Sequence, residues 1–245
     1  MAGFKFSDTP PVVKNLILIN VIMLLATWTF TKVFGIDLNQ ILGLHFIKSP
    51  RFHPYQIITH MFMHGGLTHL FFNMFALWMF GRVLETVWGP KRFFIYYFVS
   101  GLGAVFLHTL VNYIHYVSLK NSLPIENFNY VIEHGYDIFQ QGKGFTYSKM
   151  QALNEIMVVP TVGASGAVFG VLLAFGMLFP NTQLMLLFPP IPIKAKYFVI
   201  IYGGLELWLG LTQPGSNIAH FAHLGGMLFG FILIKLWKSD RNNFY

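Results

Sequence analysis

The stretch TVGASGAVFGVLLAFGMLF, Thr161 to Phe179, is apolar enough to lie inside a membrane, yet Ser165 stands near its start, framed by Gly163 and Gly166. Two readings compete for that serine. Gly166, Gly170 and Ala174 recur every four residues. They form a ridge of small side chains, and such ridges let membrane helices approach closely. On that reading Ser165 is a packing residue. On the other it is a nucleophile. Pro160 and Gly163 delay the helix to about Gly163 or Ala164, so the chain enters the membrane extended. Irregular backbone at that depth is tolerated only where it is buried in protein or lines a water-filled cavity. A hydroxyl at such a helix start has free amides and the positive end of the helix dipole beside it. Hydroxyl, amides and water together are the requirements of acyl transfer.

The whole chain supports a membrane setting. Of its 245 residues, 55% are hydrophobic and 10% charged, against roughly 25% charged in a soluble domain. Crossing the hydrocarbon core takes about 20 mostly apolar residues. Six stretches qualify: Leu16–Phe34, Ile57–Phe80, Phe93–Val117, Ile156–Phe179, Tyr197–Leu211 and Ile218–Trp237. The expected fold is an all-α bundle of six transmembrane helices over residues 16–237. Residues 1–15 and 238–245 then form short cytoplasmic segments, and 118–154 a polar external insertion with a short helix near Ile125–Phe139.

Lys and Arg set the orientation. With the N-terminus inside, Lys5, Lys14, Arg82, Lys91, Arg92, Lys194, Lys196, Lys235, Lys238 and Arg241 share the inner side. Lys32, Lys48, Arg51, Lys120, Lys143 and Lys149 share the outer side. The net charge of +7 is thus read as topology. It implies no nucleic-acid partner, since no basic groove with interleaved aromatics is present. The absence of cysteine excludes disulfides, thiolate catalysis and Cys-ligated metals. Asp8 and two prolines near the start do not suit a cleavable signal peptide. No organelle presequence is visible, so a bacterial plasma membrane is the expected host, with both termini cytoplasmic.

Polar residues at membrane depth are costly, and each is a functional candidate. His60 and His64 stand four apart, a spacing that suits zinc. No carboxylate accompanies them and Gly65–Gly66 breaks the helix, so hydrogen bonds to loop backbone are the better account. His69 and Asn73 are also four apart. They could aim two donors at one developing oxyanion, or tie two helices together. His223 shares a face with Gly226 and Gly230, a second small-residue ridge, with His220 a rival one turn away. Every aspartate lies outside the spans, and Glu206 alone is a carboxylate well inside one. It reads as a packing partner or a gate contact. The inventory therefore permits a Ser-His dyad rather than a Ser-His-Asp triad, with no cofactor and no metal.

These features together resemble the rhomboid intramembrane serine proteases. Gly163-Ala164-Ser165-Gly166 is similar to the family's G-x-S-G. Ala222-His223-x-x-Gly226-x-x-x-Gly230 is similar to its A-H-x-x-G-x-x-x-G, and His69-x-x-x-Asn73 to its H-x-x-x-N. GRVLETVWG, Gly81 to Gly89, resembles its G-x-x-x-E-x-x-x-G turn, with Glu85 in the acidic place. The similarity runs from about Gly35 to Lys235. It implies Ser165 as nucleophile and His223, not His220, as general base. It implies an oxyanion hole of His69, Asn73 and the Ser165 backbone N–H, and Phe169 stacked on the imidazole. Substrates implied are single-pass transmembrane proteins reached within the lipid bilayer and cut near its outer face. The chain departs from some members in its first external loop, where Tyr55-Gln56 stands near the place of a Trp-Arg pair. The fifth helix and the LLFPPIPI loop, Leu186 to Ile193, are both candidate gates. The rival functions are a catalytically silent membrane chaperone of the same fold and a His-lined transporter. Intact Ser165 and His223 speak against the first. The lack of an inverted repeat, and of any acid well inside a span apart from Glu206, speaks against the second.

Overall fold

The computed structural model describes residues 8–185, 190–212 and 219–242. Parts of the expected N-terminal segment, the Leu186–Ile193 loop, the start of the sixth span and the C-terminal tail lie outside them. Helix α1 (Pro11–Phe34) opens on a proline, where the missing N–H costs nothing, and stops at Gly35, whose φ of +68° suits glycine. Its first amides, which have no partner within the helix, find one far along the chain. The Val12 and Val13 N–H groups donate to the two Glu85 carboxylate oxygens at 2.9 and 2.8 Å. A buried anion at a helix N-terminus also satisfies the helix dipole.

The first loop is folded rather than loose. Asp37 caps the short α2 (Leu38–Leu42) by accepting from the Asn39 N–H. Gln56, fully buried at the start of α3 (Gln56–Thr59), is its hub. The Gln56 amide donates to the carbonyls of Ile41 and Arg51 and accepts from the N–H groups of His45 and His53. A 3₁₀ turn (His60–Phe62) follows.

The expected second span, Ile57–Phe80, is displaced toward the C-terminus and ends at Trp88. The Gly65–Gly66 break holds the helix off until α4 (Leu67–Ala76), which runs through a π turn (Leu77–Gly81) into α5 (Arg82–Trp88) as one 22-residue rod. Gly89, at φ +79°, makes the tight turn into α6 (Pro90–Ser122). Residues 118–154 are not merely a polar insertion. Helices α7 (Ile125–Gln140) and α8 (Ser148–Val158) pair over a separate small core that includes Phe128, Val131, Leu153 and Met157. This hairpin is fastened to the first loop. The Ser49 hydroxyl donates to the Met157 carbonyl at 2.7 Å, and the Arg51 guanidinium lies over the Tyr136 ring.

Helix α9 (Ser165–Leu178) is followed by a short antiparallel hairpin, β1 (Gln183–Met185) with β2 (Pro192–Lys194), the one exception to an all-α reading among the described residues. Then come α10 (Ala195–Thr212) and α11 (His220–Asn242). Four helical rods are long and apolar enough to cross a membrane: α1, α4–α5, α6 and the His220–Trp237 part of α11. Helix α9 is equally apolar but has only 14 residues, because extended chain replaces its first turns. Helix α10 is diluted by Lys196 and Glu206.

Helices α6, α9 and α11 meet where side chains vanish. A Cβ on Gly226 would overlap the Gly166 carbonyl, and one on Gly166 would strike Ala104. Gly170 faces Ser100 and the Gly226 carbonyl, while Gly230 lies under the Tyr96 hydroxyl. That hydroxyl donates to the Gly170 carbonyl at 2.8 Å.

Candidate active site

Ser165 is the first residue of α9. The chain before it is extended and pinned. Leu44 and Thr161 exchange two backbone hydrogen bonds, at 2.9 and 2.8 Å, in an isolated bridge. The Gly163 N–H donates to the His60 carbonyl at 3.0 Å. Gly163 then adopts φ +127°, a conformation few other residues accept, and Ala164 leads into the helix. The first amides of α9 have no preceding turn to bond to, as at any helix start.

Ser165 Oγ and His223 Nε2 are 2.8 Å apart, across 58 positions of sequence. This distance depends on the glycine contact of α9 with α11, because any side chain at Gly226 would push the helices apart. Phe169, one turn after Ser165, stacks on the His223 ring with centroids 4.1 Å apart and planes 5° from parallel. Tyr202 of α10 stacks on the far face of Phe169 at 5.1 Å. The imidazole is therefore held flat against a two-ring stack while its edge meets the hydroxyl.

His69 arrives from α4. A Cβ on Gly163 would come within 2.9 Å of His69 Cε1 and Nε2 and 3.7 Å of Ser165 Oγ. The imidazole and the hydroxyl thus flank one backbone position. Asn73 lies one turn below, donating one amide hydrogen to the His69 carbonyl at 2.9 Å. Its second amide hydrogen remains for the cavity it lines.

The other histidines serve different neighbours. His60 Nδ1 lies 2.9 Å from the Gln56 carbonyl. His64 is buried edge-on to the His69 ring, 5.0 Å between centroids. His108 of α6 lies 2.9 Å from the Thr161 hydroxyl and 3.0 Å from the Asn112 amide, tying the extended entry strand to α6.

Glu206 differs most from the sequence expectation, which gave His223 no carboxylate. Its Oε2 lies 2.9 Å from His223 Nδ1 and 2.7 Å from His220 Nδ1. All three side chains are buried. A sequence signal for this was available. Glu206 stands one turn before Gly210, where a Cβ would come within 3.2 Å of His220 Cβ, so the small residue marked the face of α10 that meets α11.

A cavity of about 1390 Å³ connects these groups. Ser165, His69, Asn73 and His223 all line it, and Phe72 and Phe75 of α4 with Phe198 and Tyr202 of α10 give it aromatic walls. A hydroxyl, an imidazole and a half-buried second imidazole beside free helix amides can support nucleophilic attack on a carbonyl and hold the resulting negative charge.

A family model described as the Rhomboid domain matches residues 51–239. The chain is 29% identical to "RHOMBOID-like protein 12, mitochondrial" of Arabidopsis thaliana over 95% of its own length and 60% of that protein's. It is 29% identical to "Rhomboid protein 1, mitochondrial" of Saccharomyces cerevisiae over 76% of its own length and 43% of that protein's. It is 26% identical to "Rhomboid protease GluP" of Bacillus subtilis over 72% of its length and 25% of that protein's. The chain thus spans less than two thirds of each of these relatives.

Proposed function

The chain belongs to the rhomboid family, and on that premise we propose that it is an intramembrane serine endopeptidase cleaving transmembrane segments of single-pass proteins near the outer face of the bilayer. The observation that carries this reading is the 2.8 Å contact between Ser165 Oγ and His223 Nε2, formed between two apolar helices and braced by Phe169. A serine kept only for packing has no need of an imidazole partner positioned by a ring stack.

In the proposed reaction the His223 Nε2 lone pair takes the Ser165 proton as Oγ attacks the scissile carbonyl carbon. The negative oxygen is held by the Ser165 N–H, His69 and Asn73. Collapse breaks the C–N bond, and the leaving nitrogen takes the proton from His223. Water then repeats the sequence on the acyl-enzyme and frees the carboxyl product, restoring Ser165. The substrate enters between the aromatic walls of α4 and α10. A helical segment hides its carbonyls, so it must unwind first, and residues of low helix propensity lower that cost.

The proposed arrangement has six crossings, with α9 and α10 completing the four long rods, and both chain ends on the side richer in Lys and Arg. The proposed host membrane is bacterial, as for GluP; two of the named relatives are mitochondrial, and fractionation of the source cells decides between them.

The test is purification in detergent with a fluorophosphonate probe and a generic transmembrane substrate. Labelling and cleavage both vanish in Ser165→Ala, and cleavage vanishes in His223→Ala. Undiminished cleavage by Ser165→Ala overturns the reading.

A further inference from the structure

Glu206 has no role in the dyad chemistry above, yet it is a buried carboxylate in an apolar helix. Such a group is costly unless its oxygens are paired. Among the described residues its ion-pair contacts are two imidazoles from α11, and both use the same oxygen, Oε2, at 2.7 Å from His220 Nδ1 and 2.9 Å from His223 Nδ1. Tyr202, four residues earlier on α10, lines the same cavity.

The contact constrains where protons sit. A carboxylate oxygen and an imidazole lone pair 2.9 Å apart repel each other, so the stable neutral form of His223 carries its hydrogen on Nδ1. The approach is oblique rather than a well-aligned hydrogen bond, but the electrostatic preference does not need alignment. With the hydrogen on Nδ1, Nε2 presents a lone pair to the Ser165 hydroxyl, and that is the tautomer a general base requires. His220 holds the carboxylate from the other side, so the oxygen cannot swing away.

The same three groups lie within 4.8 Å of one another and could gather around a metal ion. Their spacing argues for direct contact. Ligand atoms about 2.0–2.1 Å from a tetrahedral zinc stand about 3.3 Å apart, and both distances here are shorter than that.

We propose that Glu206 is a positioning residue that fixes the Nδ1–H tautomer of His223, with His220 acting as a clamp on the Glu206 carboxylate. This rests on the endopeptidase reading for its effect on rate, but its effect on the tautomer can be read without any activity.

The experiment compares the native chain with Glu206→Gln, Glu206→Leu and His220→Ala in detergent. Histidine ¹⁵N NMR, with the His223 signals assigned by their loss in His223→Ala, reports the tautomer. The native chain shows a protonated Nδ1 and an unprotonated Nε2. Glu206→Leu shifts His223 toward the Nε2–H form, and Glu206→Gln, which keeps the shape and one acceptor, gives a mixture. In the cleavage assay Glu206→Leu lowers kcat on the order of 10²-fold or more, as expected when a general base rests in the wrong tautomer, with KM unchanged. His220→Ala gives a smaller fall. An unchanged His223 tautomer in both Glu206 variants overturns the proposal. So does a native rate that falls on chelation and returns with zinc, since the cluster is then a metal site. Failure of the native chain to cleave or label defeats the endopeptidase reading while leaving the tautomer result to decide this one.

Discussion

His69 reaches the candidate site from a different helix than Ser165 or His223, and it approaches the serine beside Gly163. The absence of a side chain there lets the imidazole come as close as it does. In the proposed reaction His69 acts on charge that develops in the transition state rather than on the resting substrate, so its removal is expected to affect turnover more than binding. His69→Ala is predicted to lower kcat on the order of 10²-fold with little change in KM, measured by initial rates on a transmembrane substrate. An equal loss in both constants assigns His69 to substrate binding instead. At this scale Ser165, His223, Gly163 and Gly226 were legible, because each sits in a short pattern whose spacing carries its own physical reason. Glu206 was not. Gly210, one turn on, marks a face of close approach on α10, but no local pattern names the helix that meets it, and the Glu206 partners come from α11, 14 and 17 positions on.

Among the elements, α9 and α11 are joined by backbone rather than by side chains. A methyl group at Gly226 overlaps the Gly166 carbonyl and cannot be absorbed by a rotamer change. Overpacking of this kind costs about 1–3 kcal/mol, and it also widens the gap that His223 must bridge. Gly226→Ala is therefore predicted to lower the melting temperature and to abolish probe labelling of Ser165. Gly204→Ala is the control. That glycine is on α10 with open space around it, so alanine there leaves both readouts unchanged. Full labelling in Gly226→Ala contradicts the close-approach account. The two ridges were legible from the four-residue spacing of small residues. The start of α9 was legible as well, since Pro160 and Gly163 put it near Gly163 or Ala164 and the helix begins at Ser165; what anchors the extended chain before that point was not. The bridge between Thr161 and Leu44 is that anchor, and it joins segments far apart in sequence, beyond the reach of a local pattern.

Across the whole molecule, the first loop, the α7–α8 hairpin and the chain leading to Ser165 form one connected unit. The α7–α8 hairpin is fastened to the first loop by Ser49 and Arg51, and the first loop is paired at Leu44 with the strand leading to Ser165. A short helix near Ile125–Phe139 was expected, and α7 covers that stretch. The docking was not legible, since it depends on single contacts between distant loops. On the opposite side Glu85 fastens the start of α1 to the end of the second rod through two charge-assisted hydrogen bonds. Glu85→Ala removes both and leaves two helix-end amides unsatisfied, with an expected loss of about 2–4 kcal/mol. The predicted signs are a lower melting temperature and faster proteolysis within residues 8–34, and an unchanged melting curve contradicts the account.

That clamp also has a consequence for biosynthesis. A membrane chain is made from its N-terminus, and α1 is complete long before residue 85 has been synthesised. Until then the first amides of α1 must be satisfied by water or lipid headgroups at the membrane surface. Only when the second rod delivers its carboxylate do these amides gain a partner within the protein.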